Sequence, residues 1–144
     1  APPVVMTPHP GEFQRLALAL GIEQDATHSK QRSPAAVALA RAHRCIVVLK
    51  GPGTVVTDAH RLYVNTTGNP ALSTAGTGDV LSGVIASLIA QSMSPFDAAA
   101  LGVYLHGLAA DLWANQYGPS GLTASDLAKR LPEAFQRHRA NCGD

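Results

Sequence analysis

The chain has 144 residues, 46% of them hydrophobic and 15% charged, with a formal net charge of +1. That length suits one domain with a real core, and the apolar share excludes a disordered chain. The small net charge gives no electrostatic case for a nucleic-acid or anionic-membrane partner, and no apolar stretch reaches transmembrane length.

Cys45 lies in an apolar run and Cys142 in the tail, so neither points to a disulfide framework. The six histidines are scattered and show no zinc-ligand spacing. With no basic-then-apolar leader, the expected location is the cytoplasm. The sequence opens at Ala1 without a Met and runs straight into Val4-Val5-Met6. This predicts the end of a buried strand whose preceding elements are missing, so a single domain over 1–144, truncated on its amino-terminal side, is expected.

In chain order, Val4 to Met6 reads as a strand that stops at Thr7-Pro8-His9-Pro10-Gly11-Glu12. A helix from about Glu12 to Leu20 follows, ended by Gly21. Ile22 to Arg32 is polar and reads as a loop, after which Ser33-Pro34 opens a helix to about His43. Cys45 to Leu49 is a continuous β-branched run, the pattern of a strand buried on both faces. Val55 to Thr57 and Arg61 to Asn65 flank Asp58-Ala59-His60 as a hairpin. Asn65 to Thr77 is aperiodic. Helices are then predicted from about Gly78 to Gln91, from the Ser94-Pro95 cap to about Asn115, and from Ser125 towards Arg137. Helices flanking a sheet with few strands make the class α/β.

The strongest chemical signal is Gly76-Thr77-Gly78-Asp79 at the start of a helix. Glycines let backbone amides approach a ligand, and the free amides of a first helical turn attract anions. Asp79 has two readings. As a first-turn carboxylate it favours the helix dipole. Beside a bound phosphoryl group, it makes chemical sense as a base that takes the proton of an attacking hydroxyl.

Lys50-Gly51-Pro52-Gly53-Thr54 follows the carboxyl end of a buried strand, where ligands bind in open α/β sheets. It lacks the ending of a Walker loop, and by itself reads as a strand-end turn. Taken with the glycine turn, it suggests a nucleotide contact, with Lys50 for charge and Thr54 for a hydroxyl. His9 is either a turn histidine bonded to the backbone or, held by two prolines, a substrate contact. Asn65-Thr66-Thr67-Gly68-Asn69 is a polar turn that either binds substrate or a metal's water shell or is simply a turn. His106-Gly107 lies mid-helix, so His106 is expected to be packed. Trp113 and Tyr117 are expected as hydrophobic anchors, and Ala124-Ser125-Asp126 as a helix cap.

In this order, Thr7 to Glu12, Val48 to Thr54, Asn65 to Asn69, Gly76 to Gly83, His106-Gly107 and Gly121 to Leu127 resemble the carboxyl-terminal part of the ADP/ATP-dependent NAD(P)H-hydrate dehydratases. That family belongs to the ribokinase-like superfamily, which implies a three-layer α/β/α fold. Ala75 stands where the family commonly has another glycine, and family members carry a further amino-terminal portion.

The resemblance implies a lyase of nicotinamide nucleotide repair. The hydroxyl of hydrated NAD(P)H is phosphorylated by ADP, or by ATP in eukaryotic members, and loss of phosphate restores the double bond. Asp79 would be base and touch the hydrate, with the Gly76, Thr77 and Gly78 amides on the moving phosphoryl group. Lys50, Gly51, Pro52, Gly53, Thr54 and Gly78 would contact the adenine nucleotide. His9, Asn65 and Asn69 would line the hydrate, and Mg2+ would bridge the phosphates without a dedicated protein metal site. A lone Gly-Thr-Gly-Asp would also suit a vitamin or sugar kinase, and a truncated nucleotide-binding fragment without catalysis is the non-enzymatic alternative. An unpaired sheet edge predicts a homo-oligomer.

Overall fold

The apolar run ahead of Thr7 forms a two-residue strand, β1 (Val5–Met6), in a computed structural model that describes residues 2–143. β1 pairs in parallel with β2 (Ile46–Leu49), Val5 opposite Ile46 and Met6 opposite Val47. Main-chain bonds carry this pairing past both strand ends, from Ile46 N to Val4 O and from Lys50 N to Pro8 O, each 2.9 Å. Every residue of β2 is buried, as its unbroken apolar pattern requires. Cys45 lies outside the strand: its amide bonds to Ala40 O and belongs to the end of the preceding helix.

β2 turns antiparallel to β3 (Val55–Thr57), which pairs with β4 (Leu62–Val64) to complete a four-stranded sheet in the order β1-β2-β3-β4. The hairpin is tied at its tip by Asp58. One carboxylate oxygen accepts from the amides of His60 and Arg61, and the other from the Arg61 guanidinium. Partial burial alone would raise the Asp58 pKa, but those donors and the Arg61 charge bring it down to about 2.

Helix α1 (Pro10–Leu20) begins two residues before the predicted Glu12 because His9 caps it. Gly21 ends it in the left-handed conformation, as expected. Helix α2 (Arg32–His43) also begins early, and Ser33 is not its cap: Gln31 holds that position without a side-chain bond. The local Ser-Pro signal is overridden by Arg32, which is drawn inward to bond main-chain carbonyls. α1 and α2 bury Phe13, Ala17, Ala35, Ala36, Leu39 and Ala40 with Val47, Leu49 and Val55 of the sheet. The scarcity of large side chains on α2 is what allows it to lie close on the strands.

The chain forms two compact units. The first runs to Asn65 and includes Met93–Ala100; the second holds Thr66–Ser92 and the chain from Leu101 onward. The sheet, α1 and α2 fall in the first. In the second, the segment expected to be aperiodic contains a 3-10 turn, Pro70–Leu72, capped by the Asn69 side chain on the Ala71 amide. Helix α3 (Thr77–Ala90) follows. Helix α4 (Pro95–Tyr117) is capped by Ser94, whose hydroxyl accepts from the Asp97 amide, as the Ser-Pro pair predicts. Helix α5 (Ala124–Cys142) is capped by Thr123, whose hydroxyl accepts from the Asp126 amide, so the cap lies two residues before Ser125 and the helix runs past Arg137. Trp113 is an anchor in the core with Leu105, Leu122 and Leu127. Tyr117, at 60% exposure, is not; it stacks on Trp113 with ring centroids 5.2 Å apart.

Candidate functional site

In the first unit, the parallel pair β1 and β2 brings two predicted turns side by side at the carboxyl ends of its strands, joined by the Lys50 N to Pro8 O bond. His9 Nδ1 accepts from the amides of Gly11 and Glu12 at 3.0 and 3.2 Å, and the His9 amide donates to Glu12 Oε2 at 2.8 Å. This reciprocal cap is the backbone-bonded reading of His9. Because Nδ1 accepts, the ring's donor is Nε2, which lies 3.6 Å from Glu12 Oε1 with half of the side chain exposed. The bond from the His9 amide holds the Glu12 carboxyl below its ordinary pKa, against a smaller upward push from burial.

The Lys50–Thr54 turn leaves the end of β2 with Gly51 at φ 126° and Gly53 at φ 63°, values that favour glycine at both positions. Thr54 Oγ1 donates to Gly51 O at 3.0 Å, which closes the turn on itself. Beneath it lies Arg32, only 8% exposed, with its guanidinium on Ala26 O, Leu49 O and Lys50 O. The sequence placed Arg32 in a polar loop and missed it. Asn65 is buried, and its side-chain oxygen accepts from the Tyr63 hydroxyl at 2.9 Å.

In the second unit, Gly76 is the N-cap of α3 at φ 87°, and no side chain caps the helix. A residue other than glycine would be strained there, and a Cβ would also meet Ala124 Cβ at 3.1 Å. The Thr77 hydroxyl points inward to the carbonyls of Leu72 and Thr74, at 2.8 and 2.9 Å, and the Thr77 amide donates to Thr74 O at 3.4 Å. His106, buried as predicted, donates from Nε2 to Thr77 O at 2.8 Å and fixes the first turn from below. Asp79 is exposed in that turn and takes no part in a cap bond. A helix start without a side-chain cap is of the kind that can receive an anion, and an exposed carboxylate stands in its first turn.

The Thr66–Asn69 segment is strapped to one face of α4. Thr67 Oγ1 donates to Tyr104 O, Gly68 N to Asp111 Oδ2 and Asn69 Nδ2 to Asp111 Oδ1, at 2.8, 2.9 and 2.8 Å. Gly107 lies between these anchors, where a Cβ would come within 2.9 Å of Gly68 N. Close packing at the helical glycine was legible; Asp111 was not. Both polar ends of Asn69 are occupied, one by Asp111 and one by the Ala71 amide. A cavity of about 400 Å³ lies elsewhere in the first unit, lined by Val4, Arg41, Arg44, Cys45, Asp58 and His60 among others, towards the start of β2. It contains none of the predicted site residues.

Residues 1–133 match the sequence profile of NAD(P)H-hydrate dehydratase. The chain belongs to the NAD(P)H-hydrate dehydratase family. Among relatives of this family, the bifunctional NAD(P)H-hydrate repair enzyme Nnr of Moorella thermoacetica is 45% identical over 133 residues, covering 90% of this chain and 24% of its own. The ADP-dependent (S)-NAD(P)H-hydrate dehydratase of Cenarchaeum symbiosum is 38% identical over 132 residues, covering 92% of this chain and 44% of its own. A crystal structure of the ADP/ATP-dependent NAD(P)H-hydrate dehydratase from Bacillus subtilis, co-crystallized with ATP/Mg2+, superposes with a TM-score of 0.85 at 36% identity. It covers 95% of this chain and 48% of that one. Ribokinase from Thermotoga maritima, 17% identical with a TM-score of 0.60 over 92% of this chain and 42% of its own, shares the fold, which is therefore ribokinase-like. The chain spans between about a quarter and about half of the length of the relatives it matches.

Proposed function

We propose that this protein dehydrates hydrated NAD(P)H back to NAD(P)H at the expense of ADP (or ATP), within one ribokinase-like domain to which residues 1–144 contribute. The observation that carries the reading is the start of α3: a left-handed glycine cap, no side-chain cap, and the exposed Asp79 carboxylate in its first turn. There the Thr77 and Asp79 amides donate to Thr74 O and Gly76 O, while the Gly78 amide is not among these bonds. Glycine caps a helix nearly as well as Thr, and without a side chain it leaves the turn open to close approach by a ligand. Gly76, Thr77 and Gly78 then hold the phosphoryl group through their amides. Asp79 removes the proton of the substrate hydroxyl as that oxygen attacks the terminal phosphorus of ADP. AMP leaves, the phosphorylated hydrate loses phosphate, and the ring double bond is restored, so the balance is hydrate plus ADP to NAD(P)H, AMP and phosphate.

Lys50, Gly51, Pro52, Gly53, Thr54 and Gly78 contact the adenine nucleotide. His9 faces the hydrate with its remaining donor, Nε2. Asn65 and Asn69, whose polar atoms are engaged within the protein, shape the substrate side by position. Among the described residues, no three His, Cys, Asp or Glu side chains gather to hold a metal. Mg2+ would enter with the nucleotide and neutralise phosphate charge.

No helix among the described residues is long and apolar enough to cross a membrane. A cytoplasmic location is part of the proposed reading. Exposed Leu62 and Val64 on the edge strand β4 support a homo-oligomer. The test is to incubate the protein with hydrated NADPH, Mg2+ and ADP or ATP, following NADPH absorbance and AMP or ADP release. Asp79→Asn is expected to keep nucleotide binding and lose turnover by about a hundredfold or more. No NADPH from either nucleotide, using protein from the complete reading frame, refutes the reading; phosphorylation of a small alcohol instead would favour a kinase.

A further inference from the structure

Arg32 is a buried cation that no step of the proposed reaction uses. Its guanidinium donates to Ala26 O at 2.8 Å, Leu49 O at 3.1 Å and Lys50 O at 3.2 Å, while its Nε is buried without a partner. None of the ion pairs formed among the described residues involves it. Burying a guanidinium against carbonyls alone costs free energy that a methionine or leucine of similar volume would avoid. Stability of the fold therefore gives no reason for an arginine here.

What the planar fork supplies is geometry. Two successive carbonyls, Leu49 at the end of β2 and Lys50 in the turn, are gripped by the same nitrogen, Nη2. Directly above lies Gly51 at φ 126°, where a Cβ would stand 3.2 Å from both terminal nitrogens. The guanidinium thus fills the floor of the turn up to van der Waals contact, and the turn can close over it only at glycine.

We propose that Arg32 is the positioning residue of the Lys50–Thr54 turn, holding its main chain in the form that receives an adenine nucleotide. The assignment rests on the nucleotide role proposed above for that turn. Arg32→Lys keeps the charge and the stem but loses the fork; Gly51→Ala disturbs the same contact from above.

Two measurements on the whole protein test it. Native-state amide exchange without nucleotide is expected to show the Lys50 amide, bonded to Pro8 O, exchanging about tenfold faster in Arg32→Lys, with the Val48 amide unchanged. In turnover, the KM for ADP is expected to rise about tenfold with kcat retained. Arg32→Lys combined with Gly51→Ala should fall short of the sum of the two single effects, because they share one contact, while the backbone strain of a side chain at φ 126° remains; full additivity overturns the shared contact. A merely structural arginine would lower kcat through the folded fraction and leave KM alone, which overturns the assignment. So does unchanged Lys50 exchange, a readout that needs no nucleotide. A wild-type protein that binds no adenine nucleotide overturns the nucleotide reading of the turn itself, and this assignment with it.

Discussion

Replacing Gly107 with alanine isolates the close approach between α4 and the Thr66–Asn69 segment. An ideal Cβ there would collide with Thr67 Oγ1 and fall 2.7 Å from Thr67 C and 2.9 Å from Gly68 N. Two of these three atoms are backbone, so no rotamer change relieves the clash and the segment itself must move. Overpacking of this kind costs about 1–3 kcal/mol. Displacing the segment also weakens the bonds from Thr67, Gly68 and Asn69 to Tyr104 and Asp111, each worth about 1 kcal/mol net. Against this, alanine in a helix gains about 1 kcal/mol over glycine.

The loss dominates, and Gly107→Ala is expected to destabilise by about 3 kcal/mol, roughly a 10 °C fall in Tm for a chain of this size. Gly83→Ala is the matched control: it also lies within a helix, α3, but a Cβ there meets nothing within 4 Å. It should stabilise by up to about 1 kcal/mol. Urea unfolding and calorimetry on both variants measure the difference. Equal stabilisation at the two positions would refute the close approach and with it the strap on α4.

Lys50→Ala is expected to raise the KM for ADP about tenfold with little change in kcat, measured by steady-state NADPH formation; an unchanged KM would remove Lys50 from the nucleotide contact. Asp58 gives a pH prediction. Its folded pKa, about 2, lies below the ordinary 3.8, so its contribution is fully present above the unfolded value and is lost as pH falls from about 4 towards 2. Asp58→Asn should therefore show a shallower loss of stability across that acid window than the wild type, by urea midpoints at each pH; parallel curves would exclude the hairpin bonds as its cause.

Signals carried within a few residues could be read from the chain. The β-branched run of β2, the left-handed Gly21 at the end of α1, the Ser94 cap of α4 and the glycine turn before α3 each depend on neighbours close in sequence. The ordered set of short motifs likewise announced the family. Boundaries failed where a local signal lost to a distant one. Ser33 was a good cap in isolation, but α2 starts at Arg32 because carbonyls 17 and 18 residues away claim its guanidinium.

His9 capping α1 was one of two readings left open, and folding realised it without changing what the ring's second nitrogen offers. The devices that shape the candidate site come from still farther apart. His106 meets Thr77 across 29 residues, and Asp111 meets Gly68 and Asn69 across 43 and 42. No propensity or periodicity encodes such pairs, because their energy exists only once packing has excluded water and brought donor and acceptor within 3 Å. A chain can announce that amides gather at a helix start; which side chains hold that start and its neighbouring turns in place is decided by the fold alone.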